Sequence, residues 1–232
     1  MIISDLANAE AVAETAAHDL ANELDGLLAS QQEVSLVLTG GTVGIKTLAY
    51  LAPLINDLEL SKLSIWWGDE RFVASESAER NFVQARNVLL SKVQIPSQNI
   101  HAMPSTEAGE LAEASLTFAK VLGSDAPTFD IVLLGMGDDG HIASLFPGSR
   151  PIEFGKWVVA EPNSPKSPAQ RISLSFEALS SANQVWFLVA GEEKANAVSR
   201  VFAGELLPAG KVSGKKLTKW YLDKAAASEI TS

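Results

Sequence analysis

The sequence predicts an α/β protein built on a mainly parallel sheet that is covered on both faces by helices. Three observations predict it. Apolar runs of strand length recur along the 232 residues, helical stretches fall between them, and the strand candidates are apolar at nearly every position instead of alternating. A strand that is apolar throughout is buried on both faces, as strands of parallel sheets are.

The N-terminal segment "MIISDLANAEAVAETAAHDLANEL" is alanine-rich with acidic residues throughout and reads as one amphipathic helix. It lacks the basic start and unbroken apolar stretch of a signal peptide. "VSLVLT" (34–39) is β-rich and ends in Gly40-Gly41; a helix follows to Ala52, where Pro53 stops it. "LSIWW" (63–67) is a second strand, ending in "GDER". "NFVQARNVLLSKV" (81–93) has helical spacing, with Asn81 as its cap and Gln84 three residues on. A long helix is expected over residues 106–122. "FDIVLLG" (129–135) is the strongest buried strand, and "WVVA", "RISLS" and "QVWFLVA" continue the pattern before the helical "EEKANAVSRVF". "AEPNSPKSPAQ" (160–170) reads as an extended loop. No linker or repeat divides the chain, so residues 1–232 are expected to form a single domain.

The composition excludes several function classes. A net charge of −10 argues against nucleic acid and anionic membrane as partners. It leaves room for a small phosphorylated metabolite if a few basic residues converge on one pocket. The chain has no cysteine, which removes disulfides, thiolate metal sites and cysteine nucleophiles and fits a cytoplasmic protein. No apolar run reaches the ~20 residues of a membrane span. No carboxylate or histidine spacing suggests a metal. His18 and His101 read as structural residues, and Trp66, Trp67 and Trp186 as core.

Ligands of open parallel sheets bind beyond the carboxyl ends of the strands, and four such ends collect the chain's unusual polar residues. At the first, Gly40 and Gly41 let the backbone approach an anion, with Thr42 adding a hydroxyl; the same glycines also suit a plain tight β–α turn. At the second, Asp69 can orient a histidine or bind a sugar hydroxyl and Arg71 can grip a phosphate or carboxylate; the alternative is a self-paired surface run. Asn81 can contact ligand or simply cap its helix. At the third, "GMGDDGHIAS", Gly135, Gly137 and Gly140 make a loop over which a substrate can lie, with His141 at the first turn of a following helix. There the helix macrodipole favours the neutral imidazole a general base needs, while Asp138 and Asp139 pull the other way; the alternative is a histidine that merely caps. Lys194 stands at the fourth end, before a helix, and Arg171 opens "RISLS"; both can neutralise a phosphate, and both can equally be solvated.

"LTGGTVGI", "WWGDERFV" with "ERN" soon after, "FDIVLLGMGDDGHIASLFPGS", "RISLS", "VWFLVAGEEKANAV" and "WYLDKAAAS" together resemble the 6-phosphogluconolactonase family, in order and over nearly the whole chain. The resemblance implies a Rossmann-like three-layer α/β/α sandwich, hydrolysis of 6-phospho-D-glucono-1,5-lactone to 6-phosphogluconate, and no obligatory cofactor. It implies a small-molecule phosphosugar lactone as partner to a monomer or weak homo-oligomer. The related glucosamine-6-phosphate deaminases show a loop like "GHIAFNEPGS" with a functional glutamate before the proline, where this chain has Phe146. The turn "GGTVG" departs from the "GGSTP" or "GGRTG" of many members at Thr42 and Val43. On this reading His141 is the general base, Asp69 orients its imidazole or stabilises its charged form, and amides of residues 135–140 stabilise the oxyanion. Gly41, Thr42, Arg71, Arg171 and Lys194 hold phosphate and sugar. The alternatives are a sugar-phosphate isomerase or deaminase and a non-catalytic phosphosugar sensor.

Overall fold

Alternate residues of the central strands feed two separate hydrophobic cores, and that division sets the architecture. A computed structural model describes residues 2–123 and 128–230. In chain order the elements are β1 (Ile2–Leu6), α1 (Ala9–Ser30), β2 (Val34–Leu38), α2 (Gly41–Leu54), β3 (Leu63–Trp67), β4 (Asp69–Arg71), α3 (Asn81–Ala85) and α4 (Leu111–Leu122). They continue with β5 (Ile131–Leu134), β6 (Ile152–Phe154), β7 (Val158–Glu161), β8 (Arg171–Leu174), α5 (Phe176–Ser180), β9 (Gln184–Val189), α6 (Ala195–Phe202) and β10 (Leu217–Asp223). Six strands form one sheet in the order β1-β10-β9-β5-β2-β3, with every pairing parallel.

Because successive side chains of a strand point to opposite faces, Ile131 and Leu133 of β5 enter one core and Val132 and Leu134 the other. Trp67 and Trp66 of β3 divide in the same way, as do Trp186 and Phe187 of β9. One core is closed by Leu20 and Leu24 of α1 with Leu48 and Leu51 of α2. The other is closed by Phe118 of α4, Leu179 of α5 and Val198 of α6. This is the expected three-layer α/β/α arrangement around a parallel sheet.

The second face holds more than helices. β4, β8, β7 and β6 form a four-stranded sheet with antiparallel pairings, and Val158, Ala160, Ile172 and Leu174 join the same core as Phe118. "WVVA" and "RISLS" are therefore strands, but of this second sheet rather than the parallel one. Their apolar composition reflects burial, which does not distinguish the two sheets.

Other boundaries move for local reasons. Residues 2–6, expected to start the first helix, instead pair with β10 as an edge strand. α2 runs two residues past Ala52 and carries Pro53 in its last turn. The helix expected over 106–122 is broken by Gly109 at φ +103°, so that a 3₁₀ turn precedes α4. α3 passes into a π-turn over Arg86–Leu90. Among the described residues no helix is long and apolar enough to cross a membrane.

Leu133→Ala, in the fully buried centre of β5, should lower the unfolding free energy by about 2–5 kcal/mol in urea titration. Leu116→Ala on the exposed side of α4 should change it by no more than about 0.5 kcal/mol.

Candidate active site

With β2, β3, β5 and β9 all parallel, the four polar strand ends lie on one edge of the sheet and surround a cleft of about 300 Å³. Gly40, Gly41, Asp69, Arg71, Asn81, Gly135, Gly137, His141, Arg171 and Lys194 all line it. Thr42 and Gly140 do not. Thr42 is exposed and lines the neighbouring hollow beside Val189 and Lys194. Gly140, at φ +83°, backs onto Leu207, which stands 2.8 Å from where a β-carbon would be.

The loop after β5 is tied to itself around His141. The Gly137 amide donates to the His141 carbonyl at 2.8 Å, and the Gly140 amide to the Gly137 carbonyl at 3.1 Å. Oδ1 of Asp139 accepts from the His141 amide at 3.0 Å and lies 2.5 Å from Nδ1 of its ring. A β-carbon on Gly137 would fall 2.0 Å from that same Nδ1, so glycine is what leaves room for the imidazole. Phe146 covers the ring with centroids 4.6 Å apart. Burial pushes the His141 pKa down from its ordinary 6.5, against the opposing pull of Asp139. With Nδ1–H directed to Asp139, the neutral ring leaves Nε2 as its basic nitrogen.

Three expectations are corrected here. Residues 142–149 form turns and a short bridge, with no helix after His141, so its pKa is lowered by desolvation and not by a macrodipole. The carboxylate that orients the imidazole is Asp139, not Asp69, whose charge favours the imidazolium only from a distance. The amides of Gly135, Gly137 and Gly140 are already spent, on Thr39 Oγ1 at 3.2 Å and on the loop's own carbonyls, so those three are not oxyanion donors.

Asp69 is engaged elsewhere. Its Oδ2 accepts from the buried Ser144 hydroxyl at 2.6 Å and lies 3.9 Å from Nη1 of Arg171, while its Oδ1 accepts from Asn81 Nδ2 at 3.1 Å. Ser144 also holds its backbone through the Ser173 hydroxyl at 3.3 Å. Between it and His141 lies Ala143 at φ +47°, a conformation that a residue with a β-carbon adopts only when its surroundings impose it.

Asn81 is not the cap of α3 but its first residue. The cap comes from Glu70 on β4, whose carboxylate accepts from the amides of Asn81 and Phe82 at 2.8 and 2.9 Å and from the Arg71 amide at 2.8 Å. Arg80 lies 3.3 Å from the same carboxylate, and burial still raises the Glu70 pKa against these partners. Glu70, overlooked among the candidates, releases the Asn81 side chain to face Asp69. The signal for it was present in the acidic pair of "GDER".

Four cations border the cleft. Arg71 donates through Nη1 to the Glu79 carbonyl. Arg171 donates to the carbonyls of Pro168, Lys166 and Ser167 at 2.7, 3.2 and 3.1 Å, which wraps the 162–170 loop around its guanidinium. Lys194 lies 3.8 Å from Glu193. The fourth is Lys166, which crosses from that loop to Asp138 at 2.5 Å; in sequence it belonged to a loop without an assigned role. Beside them Gly40 precedes α2 as an N-cap that has no side chain to offer, and Gly41 has φ +79°, an arrangement that suits an anion. His101, expected to be structural, stacks on Trp66 at 3.8 Å.

The fold and the cleft define a class: α/β proteins of an open parallel sheet that hold a small ligand across the carboxyl ends of their strands. Residues 7–220 match the family of glucosamine-6-phosphate isomerases and 6-phosphogluconolactonase, and the chain belongs to that family. It is 40% identical over 226 residues to the 6-phosphogluconolactonase of Mycobacterium tuberculosis, covering 92% of both chains. It is 40% identical over 240 residues to that of Streptomyces coelicolor, covering 95% of this chain and 91% of the relative. The crystal structure of 6-phosphogluconolactonase from Thermotoga maritima superposes with a TM-score of 0.87 at 28% identity, covering 96% of this chain and 99% of that one.

The ring protons of His141, followed by NMR, should titrate with a midpoint below 6.5. Asp139→Asn should move the midpoint lower still, since removing the carboxylate removes its stabilisation of the imidazolium. A midpoint that stays or rises would contradict the pairing.

Proposed function

We propose that the chain hydrolyses 6-phospho-D-glucono-1,5-lactone to 6-phospho-D-gluconate, in the oxidative branch of the pentose phosphate pathway and in the cytoplasm. The observation that carries this reading is the His141 imidazole, kept neutral by burial and held through Nδ1 by Asp139 in a cleft bordered by cations. Relatives at 40% identity named for this activity support the choice of substrate.

Nε2 of His141 removes a proton from water as the water oxygen attacks the lactone carbonyl. The ring C–O bond then breaks, and the imidazolium returns the proton to the departing ring oxygen. One water is consumed, and one carboxylic acid and one hydroxyl are formed. Asp139 stabilises the imidazolium between the two transfers, as the carboxylate of a triad does. The lactone is an activated ester, so a positioned base worth about 10²–10⁴-fold suffices without a covalent intermediate. Ser144, the serine nearest this chemistry in sequence, is fully buried and commits its hydroxyl to Asp69. The phosphate is held by Arg71, Lys166 and Lys194, while Arg171 keeps the 162–170 loop in place beside it.

The deaminase reading is disfavoured at Phe146. An aromatic ring lies against His141 where the deaminase loop needs a carboxylate that can transfer protons.

Lactone hydrolysis, corrected for spontaneous ring opening, should be readily measurable in the wild type and about 10²–10⁴-fold slower in His141→Ala. Equal enzymatic rates in the two proteins would remove His141 from the mechanism. Failure of the wild type to hydrolyse the lactone would remove the assignment.

A further inference from the structure

Among the described residues that line the cleft, two buried side-chain atoms have no hydrogen-bond partner: the donor Nε of Arg71, on the cationic side, and the acceptor Oδ1 of Asn81. Asn81 is 2% exposed, and its Nδ2 donates to both the carbonyl and the carboxylate of Asp69, at 2.9 and 3.1 Å. Since both partners are acceptors, they fix which end of the amide is nitrogen. The opposite end, Oδ1, is buried without a hydrogen bond. It also stands 2.0 Å from where a β-carbon on Gly40 would be. Gly40 is thus the residue that lets an acceptor approach the start of α2, at the wall the cleft shares with Asp69 and Arg71.

A buried acceptor left unsatisfied is unfavourable, and a ligand that brings a donor to it removes that cost. The chemistry of the ligand follows from the kind of atom. A phosphate dianion has no hydrogen to donate, so Oδ1 and the neighbouring Asp69 carboxylate repel it. A sugar hydroxyl does have one. We propose that Asn81 Oδ1 accepts a hydrogen bond from one ring hydroxyl of the substrate and is a specificity-determining residue. The Asn81–Asp69 wall is then the hydroxyl-reading side of the cleft, and the phosphate lies towards the cations. This proposal rests on the lactonase reading and adds to it the orientation of the sugar. It also gives Asn81 a role separate from helix capping, which Glu70 performs.

The test compares kcat/KM for 6-phosphogluconolactone with that for its 2-deoxy, 3-deoxy and 4-deoxy analogues, in the wild type and in Asn81→Ala, after thermal melts establish that the variant is folded. The wild type should lose about ten- to a hundredfold on one of the three analogues, the range expected when a buried acceptor loses its donor. Asn81→Ala should be slower on the parent lactone, yet should no longer distinguish that analogue from the parent. Inhibition by inorganic phosphate should be the same in both proteins. Three outcomes overturn the proposal: a wild type that hydrolyses all three analogues as well as the parent, a variant that keeps the wild-type discrimination, or a variant whose phosphate inhibition weakens as much as its lactone hydrolysis. The wild-type series decides the matter even if the variant does not fold. A wild type inactive on the parent lactone fails the functional reading itself and this proposal with it, whereas parent activity with a flat analogue series fails this proposal alone.

Discussion

The 2.5 Å contact between Nδ1 of His141 and Oδ1 of Asp139 is the interaction around which the rest of the site is arranged. It fixes the ring tautomer, and through it which nitrogen is basic. It forms only because the chain turns tightly enough between residues 137 and 141 for a side chain and a backbone two residues apart to share one carboxylate oxygen. That turn demands glycine at 137, where a β-carbon would coincide with the ring. It also consumes the amides of Gly137 and Gly140. Two opposing influences act on the imidazole, burial and a nearby negative charge, and burial is the larger. The outcome is a histidine that stays unprotonated near neutral pH while keeping a partner ready for the charge it acquires during proton transfer.

Around that centre the cleft is divided by hydrogen-bonding polarity. Arg71, Lys166 and Lys194 offer donors and positive charge. Asp69 and Asn81 Oδ1 offer acceptors. The division is maintained by hydrogen bonds among the residues behind and beside the cleft wall. Glu70 caps α3 and binds Arg80, which frees Asn81. Ser144 joins the His141 loop to Asp69 and, with Ser173, holds Ala143 in its unfavourable conformation. Arg171 gathers the 162–170 loop on its guanidinium. A protein with a net charge of −10 can thereby present a locally cationic pocket.

The strands buried on both faces were legible in the sequence, because "VSLVL", "SIWW" and "IVLL" have no reading other than burial from two sides. The strands at the β1 end of the sheet were not. "IISDL", at the edge, and "LTKWYLD", between it and β9, carry polar residues that suit a mixed environment, and the first runs directly into an alanine-rich helical pattern. The antiparallel character of β7 and β8 was hidden for a related reason, since apolar residues record burial and not direction. At the site, the residues came through well and their partners poorly. His141, Asp69, Asn81 and the glycines stand out as types at strand ends. That Asp139 rather than Asp69 meets the ring depends on turn geometry, and that Glu70 rather than Asn81 caps α3 depends on a contact across eleven residues. Lys166 had no local signal, since only the folding of its loop over Arg171 brings it to Asp138.

The central claim is that a buried, Asp139-held His141 is the working base, and the pH dependence of kcat/KM tests it most directly because it reports the free enzyme. Only the neutral imidazole accepts a proton, so activity must fall as pH drops through the His141 pKa. That pKa lies below its ordinary 6.5, so the account predicts a single acid limb with its midpoint below 6.5 that shifts further down in Asp139→Asn. An acid limb centred at or above 6.5, or one left in place by that substitution, would contradict it.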